Sequence, residues 1–225
     1  MAGATVFRSS LRRLEAAALD SLESVDEQLA RLLGSLRVPD AELVHAVRAG
    51  SRRIAAVRAN INRELLQVIA SGRPSVAELR VVAAVFDLLA CMARMGERCA
   101  AAAHITAKLD RLRTDEGLCQ TVERIGALTE AQVHGAREAF GARDARLADE
   151  VIRRNQRVGI LARRAFERAT WLGADPRFDD WAIELLRVAG SFEQTADDAV
   201  EIAEQALVLV IEPFEEMAYV DQRAG

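Results

Sequence analysis

Residues 40–110 recur about one hundred residues later in the chain, and this duplication constrains the fold more than any other feature. Asp40-Ala-Glu-Leu43 aligns with Asp144-Ala-Arg-Leu147, which places the two copies 104 residues apart at that point. The distance shortens to 100 residues where Glu97 aligns with Asp197. Internal repeats of this length identify a supersecondary unit that has been used twice. The fold is therefore expected to consist of two similar halves.

Apolar residues recur at helical spacing in both halves. The clearest case is the first segment, where apolar residues follow steps of three and four from Phe7 to Leu36, as in a long amphipathic helix. No stretch alternates with a period of two for long enough to predict a strand. The pattern predicts six long helices, with approximate bounds 7–36, 43–71, 76–109, 118–140, 146–171 and 178–211.

The ends of these helices carry recognisable capping signals. Asp40 is the predicted N-cap of the second helix, and Ser75 with Glu78 has the spacing of a capping box at the start of the third. The apolar period lapses between Arg113 and Gly117. We therefore predict an all-α chain of two tandem three-helix bundles, with domains at 1–113 and 114–225.

Composition narrows the class of protein further. Of the 225 residues 51% are apolar and only 4% aromatic, which predicts an aliphatic core of packed helices. The net charge of −4 argues against a nucleic-acid-binding protein. No apolar run resembles a signal peptide or reaches the roughly 18 residues that span a bilayer. We expect a cytoplasmic protein without membrane insertion, with Cys91, Cys99 and Cys119 reduced.

Charge is distributed unevenly over the second half. Eleven acids and one base lie between Phe178 and Glu216, whereas seven arginines and four acids lie between Asp144 and Thr170. One interpretation is that the basic fifth helix forms ion pairs with the acidic sixth. Glu193, Asp197 and Glu201 follow each other at steps of four, so they lie toward one side of a helix, where they could either face solvent or hold a divalent ion.

Signatures of catalysis are weak. Glu42 and His45 have the Glu-x-x-His spacing of di-iron bundles, but that motif is needed twice, and it occurs once. No nucleophile elbow, phosphate-binding glycine loop or dinucleotide fingerprint is present. We therefore predict that the chain is not an enzyme.

The order and spacing of these features resemble the PhoU family, which carries a motif of the form Gln-Pro-x-Ala-x-Asp-Leu-Arg, then Glu-Arg-Ile-Gly-Asp, in each half. The first copy here reads Arg73-Pro74-Ser75-Val76-Ala77-Glu78-Leu79-Arg80, then Ala93-Arg94-Met95-Gly96-Glu97. The second reads Asp175-Pro176-Arg177, then Glu193-Gln194-Thr195-Ala196-Asp197. The resemblance covers nearly the whole chain, and it implies two three-helix bundles side by side, in a protein that is usually a homodimer.

The resemblance also implies metal binding, because family members can hold metal clusters through the Glu-x-x-x-Asp motif. The implied ligands are Glu193 and Asp197 in the second repeat, with Glu201 nearby, and Glu97 in the first. The first repeat departs from the pattern, since Ala93 replaces the glutamate. Arg58, Asn62 and Gly159 stand at positions where the family tends to have acids. The expectation is one divalent ion, such as iron, zinc or magnesium, at the second repeat.

The function implied by the resemblance is that of an adaptor and negative regulator of phosphate uptake and phosphate-starvation signalling. Its expected partners are the ATPase of a phosphate transporter and a sensor histidine kinase. Two alternatives remain at this point. One is a helical scaffold that serves another transporter or regulator, and the other is a ferritin-like carboxylate metal protein.

Overall fold

In the computed structural model, residues 2–38, 42–109, 115–175 and 179–210 are described, and six α-helices account for nearly all of them. The helices are α1 (Ala2–Arg37), α2 (Leu43–Ser71), α3 (Val76–Thr106), α4 (Glu116–Ala142), α5 (Ala145–Leu172) and α6 (Asp179–Val210). No strand occurs within these ranges. The all-α fold of six helices is therefore confirmed. The predicted bounds differ most for the first helix, and the predicted ends at Phe178 and Ile211 lie outside the described residues.

The helices pack as two bundles that share a broad contact. Helices α1, α2 and α3 contact one another, as do α4, α5 and α6, and the two sets meet where α3 packs on α6 and α1 packs on α4. Within the described ranges, α2 and α5 contact only helices of their own repeat. These two are the outer helices, and each leaves one side uncovered.

The regular apolar seam of α1 lies in the core. Its buried members are each no more than 5% exposed: Phe7, Leu11, Leu14, Ala18, Leu22, Val25, Leu29 and Leu32. A strict seam suits this helix because it must pack simultaneously on α2, α3 and α4. Burial of large aliphatic side chains at about 1.5–3 kcal/mol each drives this packing.

Side-chain caps fix several helix starts. The hydroxyl of Ser75 accepts from the backbone N–H of Glu78, and the Glu78 carboxylate accepts from the backbone N–H of Ser75 at 2.8 Å, so the predicted capping box is confirmed. Asp115 and Asp144 cap α4 and α5. Asp40 lies outside the described residues, and α2 is preceded by Glu42, which makes no capping side-chain bond.

None of the described helices is both long enough and apolar enough to span a membrane.

Candidate functional site

The duplication produces an equivalent groove in each repeat. The first groove lies between α2 and α3, has a volume of about 280 Å³, and is lined in part by Ser51, Arg58, Asn62, Ala93 and Glu97. The second groove lies between α5 and α6, has a volume of about 740 Å³, and is lined in part by Asn155, Ala162, Phe166 and Glu193. The residues that line the two grooves occupy equivalent positions, with an offset of 104 residues between α2 and α5 and of 100 residues between α3 and α6. Differences between the two linings therefore reflect divergence of the two copies.

Two acids lie together beside the second groove. Glu193 is half-buried, and its pKa is raised first by burial and then by the neighbouring charge of Asp197. Asp197 is exposed and accepts a hydrogen bond of 2.8 Å from the Asn155 amide nitrogen. Within the described part of the chain, neither carboxylate has a basic partner. Their oxygens are the kind of ligand that hard divalent ions use.

The first groove offers a poorer donor set. Ala93 supplies no ligand atom at the position of Glu193, and the guanidinium-bearing Arg58 lines the same groove as Glu97. A cation would therefore meet a single exposed carboxylate, that of Glu97. The residues of the first groove therefore do not fit a metal centre.

Glu201 faces a different helix from Glu193. Its carboxylate accepts from Arg94 Nη2 of α3 at 2.5 Å. Each step of four residues turns about 40° around a helix axis, so two steps turn about 80°. The acids of α6 that sequence spacing groups together therefore divide between the side facing α5 and the side facing α3.

A cluster of charged residues joins the two repeats, and we call Arg94, Arg98, Gln194, Asp198 and Glu201 the inter-repeat cluster. Arg94 Nε donates to Asp198 Oδ1 at 2.8 Å, while Arg98 donates to the other oxygen of Asp198 and to the Gln194 side chain. Asp198 is only 4% exposed. Burial raises the pKa of its carboxyl, and the two guanidinium groups oppose that rise.

The thiol of Cys91 borders this cluster. The ligand atoms of Cys91, Asp198 and Glu201 lie within 4.8 Å of one another, but Arg94 Nη2 is 3.2 Å from the Cys91 sulfur and occupies the space between them. Burial raises the pKa of the thiol. Arg94 thus supplies the positive charge beside Cys91, Asp198 and Glu201, at the position where a metal ion would otherwise bind.

The inter-repeat cluster was not predicted from sequence, where Arg94 was only one residue of the Ala93–Glu97 motif and Asp198 only one of eleven acids between Phe178 and Glu216. A signal was available in the repeat alignment, where Arg98 and Asp198 are equivalent positions of opposite charge. Equivalent positions meet when two copies pack about an approximate two-fold axis.

Among the described residues, the interpretation that α5 forms ion pairs with α6 is not supported, because no arginine of α5 pairs with an acid of α6. Three arginines of α5 form ion pairs with acids of α5 itself or with the N-cap residue of α4: Arg153 with Asp149, Arg154 with Glu150 and Arg168 with Asp115. Between the described residues, an α5 side chain contacts an α6 carboxylate through the hydrogen bond that the Asn155 side-chain amide donates to Asp197. The interaction differs because the arginines of α5 lie mainly on its outer side, whereas the pairing acids of α6 face α3.

A further cavity of about 570 Å³ lies at one end of the contact between α3 and α6. Its lining combines His104, Lys108 and Arg187 with Asp180 and the ring of Trp181. Arg187 is paired with Glu184 at 2.9 Å. Both signs of charge line this cavity, and its geometry singles out no ligand class.

Comparison with known proteins places this architecture among characterised folds. The family model for the PhoU domain matches the chain twice, at residues 19–106 and 122–206. The chain is 28% identical over 198 residues to a protein of Deinococcus radiodurans, covering 88% of this chain and 92% of that one. It is 26% identical over 180 residues to a protein of Caulobacter vibrioides, covering 80% and 78%. Both are named phosphate-specific transport system accessory protein PhoU homolog.

Solved structures agree with this fold. The crystal structure of PhoU from Pseudomonas aeruginosa superposes with a TM-score of 0.86 at 24% identity and covers 91% of this chain and 98% of its own. The phosphate transport system regulatory protein PhoU from Streptococcus pneumoniae gives a TM-score of 0.83 at 20% identity, with 92% and 99% covered. The six-helix arrangement is thus shared along almost the full length of both structures.

Proposed function

Because the chain belongs to the PhoU family, whose relatives named above are accessory proteins of phosphate transport, we propose that it is a non-catalytic, cytoplasmic adaptor. In this proposal it binds the ATPase of a phosphate transporter and a sensor histidine kinase, and it reduces both phosphate uptake and phosphate-starvation signalling. The observation that carries the proposal is the match of the family model to both repeats.

The proposed mechanism depends on contact alone. An adaptor changes its partner when it binds one of the partner's two conformations more tightly, and a differential binding energy of about 1–3 kcal/mol is typical of such coupling. The uncovered sides of α2 and α5 support the proposal, because they leave long helix surfaces available to partners.

Genetic complementation tests this role. The chain is expressed in a bacterium that lacks its own member of the family and carries a reporter controlled by phosphate starvation. The expected result is repression of the reporter in phosphate-rich medium, compared with an empty vector. A reporter that stays active while the protein accumulates in folded form would favour a scaffold for another transporter or regulator.

The proposal includes a divalent ion at the second groove, bound by Glu193 and Asp197. Its support is the pair of neighbouring carboxylates that no described arginine neutralises. Glu97 remains a prediction with less support, because Ala93 leaves it without a second carboxylate in its groove. The same lack of donors weakens the ferritin-like alternative, which needs several converging carboxylates.

Elemental analysis after separate incubation with iron, zinc and magnesium tests the metal proposal. Retention of about one ion per chain is expected for one of them, with loss in Glu193→Gln and Asp197→Asn and retention in Glu97→Gln. Equal metal content in all variants would contradict the assignment. Light scattering of the same samples tests the homodimer that the family resemblance implies.

A further inference from the structure

The outer side of α5 exposes three large apolar side chains. Ile160 is 47% exposed, Phe166 62% and Trp171 69%. Exposing such groups costs free energy in water, and when several occur together they often mark a binding surface. Eleven residues separate Ile160 from Trp171, so these two side chains lie about 16 Å apart along the helix and on nearly the same side. This length corresponds to about three turns of a partner helix. Phe166 is turned about 120° from Ile160, and it lines the groove between α5 and α6.

Grooves flank Ile160 on both sides. The second groove, between α5 and α6, is lined by Ile160, Phe166 and Arg163. A third groove, between α4 and α5, has a volume of about 410 Å³ and is lined by Leu128, Leu161 and Ile160 together with Arg124 and Arg157. Two partly apolar grooves on either side of one helix can receive the side chains of an amphipathic partner helix.

The charge of this surface is unbalanced. Arg124, Arg157 and Arg163 are exposed and line the two grooves. Among the described residues, these three guanidinium groups have no carboxylate partner, whereas Arg153 and Arg168 of the same helix do. A partner with carboxylates at matching positions would provide the missing counter-charges.

The first repeat provides an internal reference for this surface. The positions of α2 that correspond to Ile160, Arg163, Phe166 and Trp171 are occupied by small or polar residues, namely Ala56, Ala59, Asn62 and Gln67. Both helices form the same structure in the same position of their bundle. The fold therefore does not require these four residues, and they are particular to the second repeat, whereas Arg157 has a basic counterpart in Arg53.

We propose that this surface, the α5 face formed by Ile160, Phe166, Trp171, Arg124, Arg157 and Arg163, binds an acidic amphipathic helix of a partner protein. The apolar side chains of that helix enter the two grooves, and its carboxylates pair with the three arginines. The inference rests on the proposed function for the identity of the partner, for which it specifies the contact surface. An anionic membrane fits less well, because a flat lipid surface would not place side chains in the two grooves.

The test compares paired variants of the full chain. Ile160→Ser with Phe166→Ser removes apolar contacts, and Arg157→Glu with Arg163→Glu reverses charge. The matched controls on α2 are Leu66→Ser, whose side chain is 60% exposed, and Arg53→Glu. Circular dichroism and thermal unfolding verify that each variant is folded.

Three kinds of probe are titrated against each variant. The first is a labelled amphipathic peptide of leucine and glutamate, with a lysine-for-glutamate version and a scrambled version as its controls. The second is the transporter ATPase or the cytosolic region of the sensor kinase. The third is a vesicle containing phosphatidylglycerol.

The expected result is that the acidic peptide binds the wild-type chain and that both α5 variants weaken binding by about tenfold or more. The α2 variants should bind as the wild type does, and the lysine and scrambled peptides should bind much more weakly. No binding of the acidic peptide, or equal binding to all variants, would overturn the inference. Vesicle binding that the α5 variants abolish, without discrimination among peptides, would overturn it in favour of a lipid surface.

The protein probes separate this inference from the proposed function. If the ATPase or kinase binds and the α5 variants retain full affinity, the α5 face is wrong and the adaptor role stands. If neither binds while the peptide results are as expected, the α5 face stands and the proposed partners are wrong.

Discussion

Arg98 and Asp198 occupy equivalent positions of the two repeats, one hundred residues apart, and they form an ion pair with each other across the contact between α3 and α6. Arg94 binds the same carboxylate at 2.8 Å, so a single buried acid receives two arginines. The copies have thus diverged to opposite charge at the place where they meet. This divergence favours the pairing of α3 with α6 over the pairing of either helix with a copy of itself.

Asp198→Ala is expected to destabilise the chain by about 2 kcal/mol, because it leaves two neighbouring guanidinium groups without their shared partner. Fully buried pairs cost about 3–5 kcal/mol when one partner is removed, and the partial exposure of both arginines reduces this figure. Urea unfolding measures the effect. Asp149→Ala, which breaks an exposed pair with Arg153, should change stability by less than about 0.5 kcal/mol. Equal losses in both variants would contradict the account.

Asp26 of α1 should make stability fall as pH rises. Burial raises the pKa of this carboxyl to about 6, against the opposing charges of Arg137 and His134 and with added repulsion from Glu130 and Glu23. One carboxyl oxygen is buried without a hydrogen-bond partner. The folded state holds the proton more tightly than the unfolded state, whose pKa is 3.8, so stability is lost between about pH 4 and pH 6.

Asp26→Asn therefore should raise the free energy of unfolding above pH 6.5 by about 1 kcal/mol, once the full linkage value is reduced for partial exposure. At pH 4 the variant and the wild type should differ little. Chemical denaturation at both values measures the difference, with the exposed Asp20→Asn as control. A variant that is less stable at high pH would show that the ionised carboxylate makes favourable contacts.

Two glycines should respond oppositely to alanine. A Cβ on Gly126 of α4 would lie 2.4 Å from Leu33 Cδ2 and 3.0 Å from the buried ring of Phe192. Leu33 can turn, but the packed ring cannot, so Gly126→Ala should cost about 1–2 kcal/mol. Gly190→Ala in α6 meets no atom within 4 Å and should stabilise the helix by about 0.5–1 kcal/mol. Thermal unfolding of both variants checks the sign of each change.

The capping box of α3 gives a prediction at low pH. The backbone N–H of Ser75, Arg8 and the Ser75 hydroxyl together lower the pKa of Glu78 to about 2 from 4.5. The contribution of this carboxylate is complete above about pH 4.5 and is lost as pH falls through 2. Ser75→Ala should reduce stability by about 1 kcal/mol at neutral pH, and Glu78→Gln should flatten the acid limb of the stability curve. An unchanged acid limb in Glu78→Gln would contradict the assignment.

Much of the fold was available from sequence because each helix carries its own evidence. The seam from Phe7 to Leu36 determined which side of α1 is buried, and Ser75 with Glu78 determined where α3 begins. Repetition of the pattern then specified two similar bundles. Apolar periodicity and capping residues are local signals, so they can be identified without knowledge of the tertiary structure.

The candidate sites depend on which neighbouring helix each side chain faces, and sequence spacing predicted this less well. Glu193 and Glu201 share a helix, but the turn between them points one toward α5 and the other toward Arg94 of α3. For the α5 face, the sequence showed only an excess of arginines over acids between Asp144 and Thr170. The exposed Ile160 and Phe166 of this face became informative once the structure had defined which side of α5 is uncovered.

Titration of the purified protein with the phosphate transporter ATPase and with the cytosolic region of the sensor kinase tests the adaptor role most directly. The account predicts specific binding to at least one of them with a Kd of about micromolar or tighter. Absence of binding to both, with the protein folded and helical, would contradict the adaptor role in phosphate transport.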